Sequence, residues 1–183
     1  MRQLNASGLR TRPMLWLAFL TATACSVHIF ESLIMRLLPL PFIRLGLSNI
    51  IVMYLILQGK TLPAIAVNIS KSLVGGLMTF TLLSPSTLLS LGGGLAAILV
   101  MWLACRLRLG FSPFGISIAG AVAHNLAQLV LVKTIVLPGA DVFVLTPILL
   151  VLALLSGMLT AGIYLAARAK FENLGTTSDE DQR

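Results

Sequence analysis

The chain has 183 residues, of which 57% are hydrophobic and 10% charged, whereas roughly 25% of residues are charged in an average soluble domain. The formal charge is +7, but no Lys/Arg run is interleaved with aromatics, so the basic excess indicates membrane topology and excludes a nucleic-acid partner. At about 20 residues per span, the length allows about six transmembrane helices and leaves no room for a soluble catalytic domain. The composition therefore predicts an all-α, polytopic integral membrane protein.

Apolar runs divide the chain into an N-terminal segment 1–13, a transmembrane domain 14–167 and a polar tail 168–183. The expected spans cover about residues 14–38, 45–58, 62–83, 88–105, 116–137 and 142–167. The second span is short, and Pro39 and Pro41 ahead of it cannot both continue a helix. We expect this Pro-rich loop to cap or wall a cavity, because irregular backbone in a membrane needs protein or water partners. The acidic composition of residues 171–183 predicts disorder.

The placement of Lys and Arg predicts the orientation of the chain. With six spans, nine of the thirteen basic residues fall in segments on the side of the N terminus. The other four, Arg36, Arg44, Lys71 and Lys133, flank the Pro-rich loop or lie within spans. The positive-inside rule then predicts that both termini are cytoplasmic, in a bacterial inner membrane.

Ionisable residues inside spans need a reason, because a charge at the bilayer centre costs about 3 kcal/mol or more. Glu31 is the only acid well inside a span, three residues after His28, and its pairing either fixes helix packing or helps to line a substrate cavity. Lys71 follows Asn68 by three residues and lies too deep to snorkel comfortably. Lys71 therefore needs an anion, either Glu31 or a ligand group.

Span five carries His124, Asn125 and Gln128 within five residues, for interhelical hydrogen bonding or for ligand contact. Counted from the cytoplasmic side, the polar residues fall near mid-membrane or in the outer half, which predicts a pocket open to the outside. The candidate substrate-binding residues are Glu31, Arg44, Asn49, Asn68, Lys71, His124, Asn125 and Gln128. Their basic excess indicates an anionic or strongly polar small molecule. Ala18 and Ala22 have the small-xxx-small spacing of helix packing, either internal or against a partner subunit.

The sequence lacks the motifs that several classes of enzyme require. The sequence has no DDxxD pattern to hold metal ions against a diphosphate, no P-loop and no recognisable catalytic triad. Cys25 and Cys105 lack CxxC or metal spacing. We expect a protein without catalytic residues, metal or cofactor.

Four sequence blocks resemble one family. They are Leu38-Pro-Leu-Pro41 after His28 and Glu31, Arg44-Leu-Gly-Leu-Ser-Asn49, Leu83-Ser-Pro85 with Ser90-Leu-Gly-Gly93, and Gly120-Ala-Val-Ala-His-Asn-Leu-Ala-Gln128. Together they look like the Gx transporter family, also labelled heptaprenyl diphosphate synthase component I.

The resemblance implies a six-helix bundle similar to the substrate-capture (S) components of energy-coupling-factor importers. Such components bind a nutrient under an outer loop and pack helix one, here through Ala18 and Ala22, on a transmembrane coupling subunit driven by ATPases. The alternative is a noncatalytic membrane partner of a soluble polyprenyl diphosphate synthase or of quinone-linked redox machinery.

Overall fold

The computed structural model describes residues 4–36, 46–108 and 110–180, and within these ranges the chain is helical without strands. The helices are α1 (Leu4–Arg36), α2 (Asn49–Leu57), α3 (Thr61–Met78), α4 (Pro85–Arg106), α5 (Pro113–Leu131) and α6 (Thr146–Glu180). A π-helical turn, Val132–Val136, extends α5, and a 3-10 turn, Val142–Leu145, precedes α6. The prediction of an all-α protein is confirmed.

Proline and serine mark two of the helix starts. Pro85 and Pro113 occupy the first turn of α4 and α5, where the missing N–H of proline has no partner to lose. Ser112 caps α5 by accepting a hydrogen bond from the Gly115 N–H at 3.3 Å. Such local signals explain why the helix starts follow the proline positions in the sequence.

Five helical stretches are long and apolar enough to cross a membrane. They are Met14–Ile34, Thr61–Met78, Pro85–Arg106, Pro113–Val136 and Val142–Lys170. The second helix, α2, has nine residues, which is about 13 Å and too short to cross a hydrocarbon core of about 30 Å by itself. The chain is therefore a multi-pass membrane protein whose second expected span contains only half a span of helix.

Contacts between α3, α4, α5 and α6 show that these helices alternate in direction. Ser72 bonds to Ser90, while Gly76, further along α3, packs against Thr87, which lies earlier in α4. For α4 and α5, Gly92 contacts Leu131, while Met101, further along α4, contacts Gly120, which lies earlier in α5. For α5 and α6, Ile118 contacts Gly157, while Asn125, further along α5, bonds to Leu149, which lies earlier in α6. Consecutive helices from α3 to α6 are thus antiparallel.

The first and third helices run in the same direction. Cys25 of α1 is within electrostatic range of Lys71 of α3. His28, further along α1, packs against Gly75, which is also further along α3. The chain between α1 and α3, which includes α2, must therefore return across the bundle. The start of α1 and the end of α6 consequently lie at the same end of the bundle, here called the terminal end; the other is called the far end.

The short helix α2 lies inside the bundle. Val52, Met53 and Leu55 are each 1% exposed and Ile56 is 3% exposed. They join a core that also includes Ala64 and Val67 of α3 and Ala97 of α4. Because protein surrounds α2, its start can lie at mid-depth without exposing backbone to lipid.

The last helix is longer than the sequence predicts. The expected end of span six is near residue 167 and residues 171–183 are expected to be disordered, but α6 continues to Glu180. After Pro147 no proline interrupts this stretch, and Ala, Arg, Lys, Glu and Leu, which favour helix, predominate in residues 165–172, at the expected end of the span. The charged composition of the tail therefore did not exclude helix.

Candidate functional site

A buried lysine joins α3 to the start of α2. Lys71 is 2% exposed, and its Nζ donates hydrogen bonds to Ser48 Oγ at 3.2 Å and to Asn49 Oδ1. Ser48 is the residue before α2 and Asn49 is its first residue. The lysine thus fixes the mid-depth start of the short helix.

A buried carboxylate holds the chain just before the same helix. Glu31 is 5% exposed, and its Oε1 accepts a hydrogen bond from the Gly46 N–H. Gly46 has φ +69°, a left-handed conformation that favours glycine. Among the described residues, Glu31 Oε2 has no hydrogen-bond partner. Glu31, Gly46, Ser48, Asn49 and Lys71 are called the charged cluster below.

A histidine and two serines extend the polar contacts from α1 to α4. His28 Nε2 lies 3.5 Å from Ser90 Oγ, which is 3.2 Å from Ser72 Oγ. All three residues are buried. The sequence identified His28 only as a neighbour of Glu31, and nothing in the spacing of the serines indicated this contact.

Three amides connect neighbouring helices instead of bonding to the charged cluster. Asn68 Nδ2 donates to Leu91 O at 3.3 Å and Gln128 Nε2 to Leu89 O at 3.4 Å, so both bond to α4. Asn125 Nδ2 donates to Leu149 O of α6 at 2.9 Å. These residues, called the interhelical amides below, each donate to a backbone carbonyl of a neighbouring helix. Hydrogen bonds of this kind hold neighbouring helices together.

Two glycines of α4 make room for polar side chains. A Cβ at Gly94 would collide with the Asn68 amide, and a Cβ at Gly93 would lie 3.0 Å from the His124 ring and from Gln128. His124 is 6% exposed. The glycine run in α4 therefore brings α3 and α5 close to the same helix.

A small cleft lies between α2, α4, α5 and α6. It has about 20 Å³ of room for solvent centres, which is roughly one water molecule. Its lining residues are Gly46, Asn49, Met53, Ala97, Met101, Ser117, Gly120, Ala121, His124, Asn125, Ser156 and Thr160. Gly46 and Asn49 belong to both the cleft and the charged cluster, so the two are contiguous. Ser117, Ser156 and Thr160 were not identified from the sequence.

The predicted site residues thus fall into three groups. Asn49, Lys71 and Glu31 come together at the start of α2; His124, Asn125 and Asn49 line the cleft; and Asn68 and Gln128 point to backbone carbonyls. Arg44 lies outside the described residues. Ala18 and Ala22 lie on an exposed face of α1.

No metal-binding group is formed by the described part of the chain. Within residues 4–36, 46–108 and 110–180, no three His, Cys, Asp or Glu side chains converge as metal ligands would. The polar chemistry here comes from one ammonium, one carboxylate, imidazoles, amides and hydroxyls.

Comparison with known proteins identifies the family. The family model described as heptaprenyl diphosphate synthase component I matches residues 20–166. The chain belongs to this family. No curated protein and no solved structure matches it. The family predicted from the four sequence blocks is confirmed.

The match to the heptaprenyl diphosphate synthase component I family includes the whole site. It begins within α1 and ends within α6, so the charged cluster, the interhelical amides and the cleft all lie inside it. Ala22 lies inside the match and Ala18 just before it. The description names a component of a synthase, and a noncatalytic membrane component is compatible with it.

Proposed function

We propose that this protein is a membrane-embedded substrate-binding subunit for uptake of a small polar or anionic molecule, similar to an S component and without its own energy source. The observation that carries the proposal is that Lys71 and Glu31, both buried, bond to the chain at the start of α2, beside a cleft. Intramembrane ionisable residues are expensive and mark substrate or ion pathways in membrane proteins.

The form of α2 supports the proposal independently. Transporter sites commonly contain interrupted helices whose ends lie at mid-depth near the ligand. The nine-residue α2 begins at Asn49, level with Lys71 about seven residues below the far end of α3. A ligand entering from the far end would approach the start of this helix.

We assign ligand contact to Lys71, Asn49, His124 and Asn125, with Arg44 joining from the preceding segment and Glu31 organising the basic groups. Asn68 and Gln128 are assigned to packing because their amide nitrogens already donate to α4 and neither side chain lines the cleft. A cleft with room for about one water must open to admit a nutrient, so the proposal requires a second conformation in which the bonds of Glu31 and Lys71 at the start of α2 rearrange.

The surfaces of the bundle support a partner and an orientation. Ala18 and Ala22 are exposed and would receive a helix of a transmembrane coupling subunit with ATPases. The terminal end carries the exposed basic residues Lys60, Arg106, Arg108, Arg168 and Lys170. By the positive-inside rule this end is cytoplasmic, so the far end faces outward from a bacterial inner membrane.

A second candidate function is a noncatalytic membrane partner of a soluble heptaprenyl diphosphate synthase. The family description favours it, and the exposed turn after α4 offers a basic surface in which the Arg106 guanidinium lies 5.7 Å from the centroid of the Trp102 ring. A soluble synthase would be recruited through this surface or through the end of α6.

Purification of tagged protein from its own membranes separates the two functions. Import predicts recovery of a coupling subunit and ATPases, together with a small molecule retained in native mass spectrometry. The partner role predicts instead that a soluble prenyltransferase is recovered, that it is lost when Arg106 and Arg108 are changed to Ser, and that no small molecule is retained. This outcome would contradict the import proposal.

A further inference from the structure

The turn between α3 and α4 presents large apolar side chains outward. This turn, residues 79–84, is called the apolar turn. Phe80 is 98% exposed and Leu83 is 100% exposed. The exposed surface continues onto α3 through Leu77 and Met78. An outward-facing apolar tip that is continuous with the exposed apolar face of a membrane-spanning helix is typical of a segment that contacts lipid itself.

The backbone holds Phe80 outward against its own conformational preference. Phe80 has φ +55°, in the left-handed region where a bulky non-glycine residue is a genuine outlier. Such a conformation persists only when its surroundings determine it. The exposure of Phe80 is therefore a built feature of the turn.

Hydrogen bonds within the hairpin satisfy several polar groups of the turn and of the helix ends beside it. Thr79 Oγ1 donates to Gly75 O at 2.7 Å, and the Thr81 N–H donates to Gly76 O at 2.7 Å. Thr81 O in turn accepts from Ser84 Oγ at 2.8 Å and from Thr87 Oγ1 at 2.7 Å. Irregular backbone is tolerated at membrane depth only where its polar groups are satisfied in this way.

Charge and length place this turn at the bilayer. No charged residue occurs from position 72 to position 105, so the hairpin has no Lys or Arg to mark its far end. The eighteen residues of α3 span about 27 Å, less than a hydrocarbon core of about 30 Å. Residues of the apolar turn must therefore supply the remaining length needed to cross the hydrocarbon core.

We propose that the apolar turn is an interfacial anchor, with Phe80 and Leu83 inserted among the lipids of the leaflet at the far end. The anchor fixes the depth of the α3–α4 hairpin, and with it the depth of Lys71. The other described turn at this end, residues 137–141, differs because it carries the exposed Asp141 and a Lys133 that donates to Ala140 O at 2.8 Å. It lies in water.

Tryptophan fluorescence in lipid vesicles tests the anchor. In full-length protein with Trp16 and Trp102 changed to Phe, one tryptophan is introduced by Phe80→Trp and, in a second protein, by Gly139→Trp. Gly139 is the matched control, since an added Cβ there meets nothing within 4 Å. Both proteins are reconstituted in phosphatidylcholine vesicles with and without brominated acyl chains, and are then titrated with iodide.

The anchor predicts that brominated lipid removes most of the fluorescence of the Phe80→Trp protein while iodide removes little, with the reverse for Gly139→Trp. Leu83→Trp gives the same readout if Phe80→Trp does not fold. Equal quenching by iodide at both turns, or no quenching of either anchor variant by brominated lipid, would overturn the proposal and leave the turn as a water-exposed tip or a docking site for another protein.

Discussion

The charged cluster and the interhelical amides are both buried and polar, yet they bond differently. Lys71 donates to Ser48 and Asn49 at the start of α2, and Glu31 accepts from Gly46 three residues earlier. Asn68 and Gln128 instead each donate to a backbone carbonyl of α4 and do not line the cleft. An amide on a carbonyl serves packing, while a charge placed at the interrupted end of a helix serves packing poorly and costs more. The contrast teaches that burial of a polar residue in a span does not by itself mark a binding site; its hydrogen-bond partner and its position relative to the cleft have to be considered together.

The largest expected effect comes from closing the space that an amide uses. Gly94→Val places a branched side chain where the Asn68 amide lies, and because Asn68 is 0% exposed it has nowhere to move. Overpacking of this kind destabilises by about 1–3 kcal/mol or more. Thermal unfolding in detergent, followed by size-exclusion chromatography, should show a large loss of folded protein; unchanged stability would contradict the close approach of α3 and α4.

The next effect tests the carboxylate of the charged cluster. Glu31→Leu removes the acceptor of the Gly46 N–H, and an unsatisfied buried donor costs about 1–3 kcal/mol. Glu31→Gln keeps a carbonyl oxygen and should be clearly more stable than Glu31→Leu in the same thermal unfolding measurement. Equal losses in the two variants would mean that the charge of Glu31, and not its bond to Gly46, stabilises the fold.

A smaller effect is expected from one interhelical amide. Gln128→Leu removes a single hydrogen bond of 3.4 Å to Leu89 O, and such bonds within membranes are worth about 0.6 kcal/mol on average. The melting temperature should fall slightly while any retained small molecule stays bound. Loss of that molecule from otherwise folded protein would move Gln128 from packing into the binding site.

The smallest effect is a gain. Gly162→Ala on α6 adds a Cβ that meets nothing within 4 Å. Alanine in the middle of a helix makes the folded state more stable than glycine does, by about 0.5–1 kcal/mol. A slightly higher melting temperature is expected. Because it changes a helical glycine without a neighbour, this variant is also the control for Gly94→Val, and a loss of stability here would show that α6 packs against something at this position.

The sequence predicted most helices because long apolar runs bounded by proline and glycine determine where spans lie. It overestimated α2, whose nine residues start only after Gly46, since the left-handed conformation of one glycine cannot be read from apolar content. It also stopped α6 too early, because the charged tail is compatible with helix in the absence of proline.

The candidate site was predictable only in part. Lys71 and Glu31 stand out because charges are rare in spans. Ser117, Ser156 and Thr160 did not, since Ser and Thr are ordinary residues of membrane helices that often bond to their own backbone. The role of Gln128 depends on a carbonyl thirty-nine residues away along the chain, and no local pattern identifies such a partner.

The most direct test compares Lys71→Met with Gln128→Leu by native mass spectrometry of protein purified under identical conditions. If the charged cluster binds substrate, the small molecule retained by the unchanged protein should decrease about tenfold or more in Lys71→Met, because a hydrogen bond to a charged group contributes about 1.5–3 kcal/mol. Gln128→Leu should retain it. Retention by folded Lys71→Met protein, or loss from both variants alike, would contradict the division between binding and packing residues.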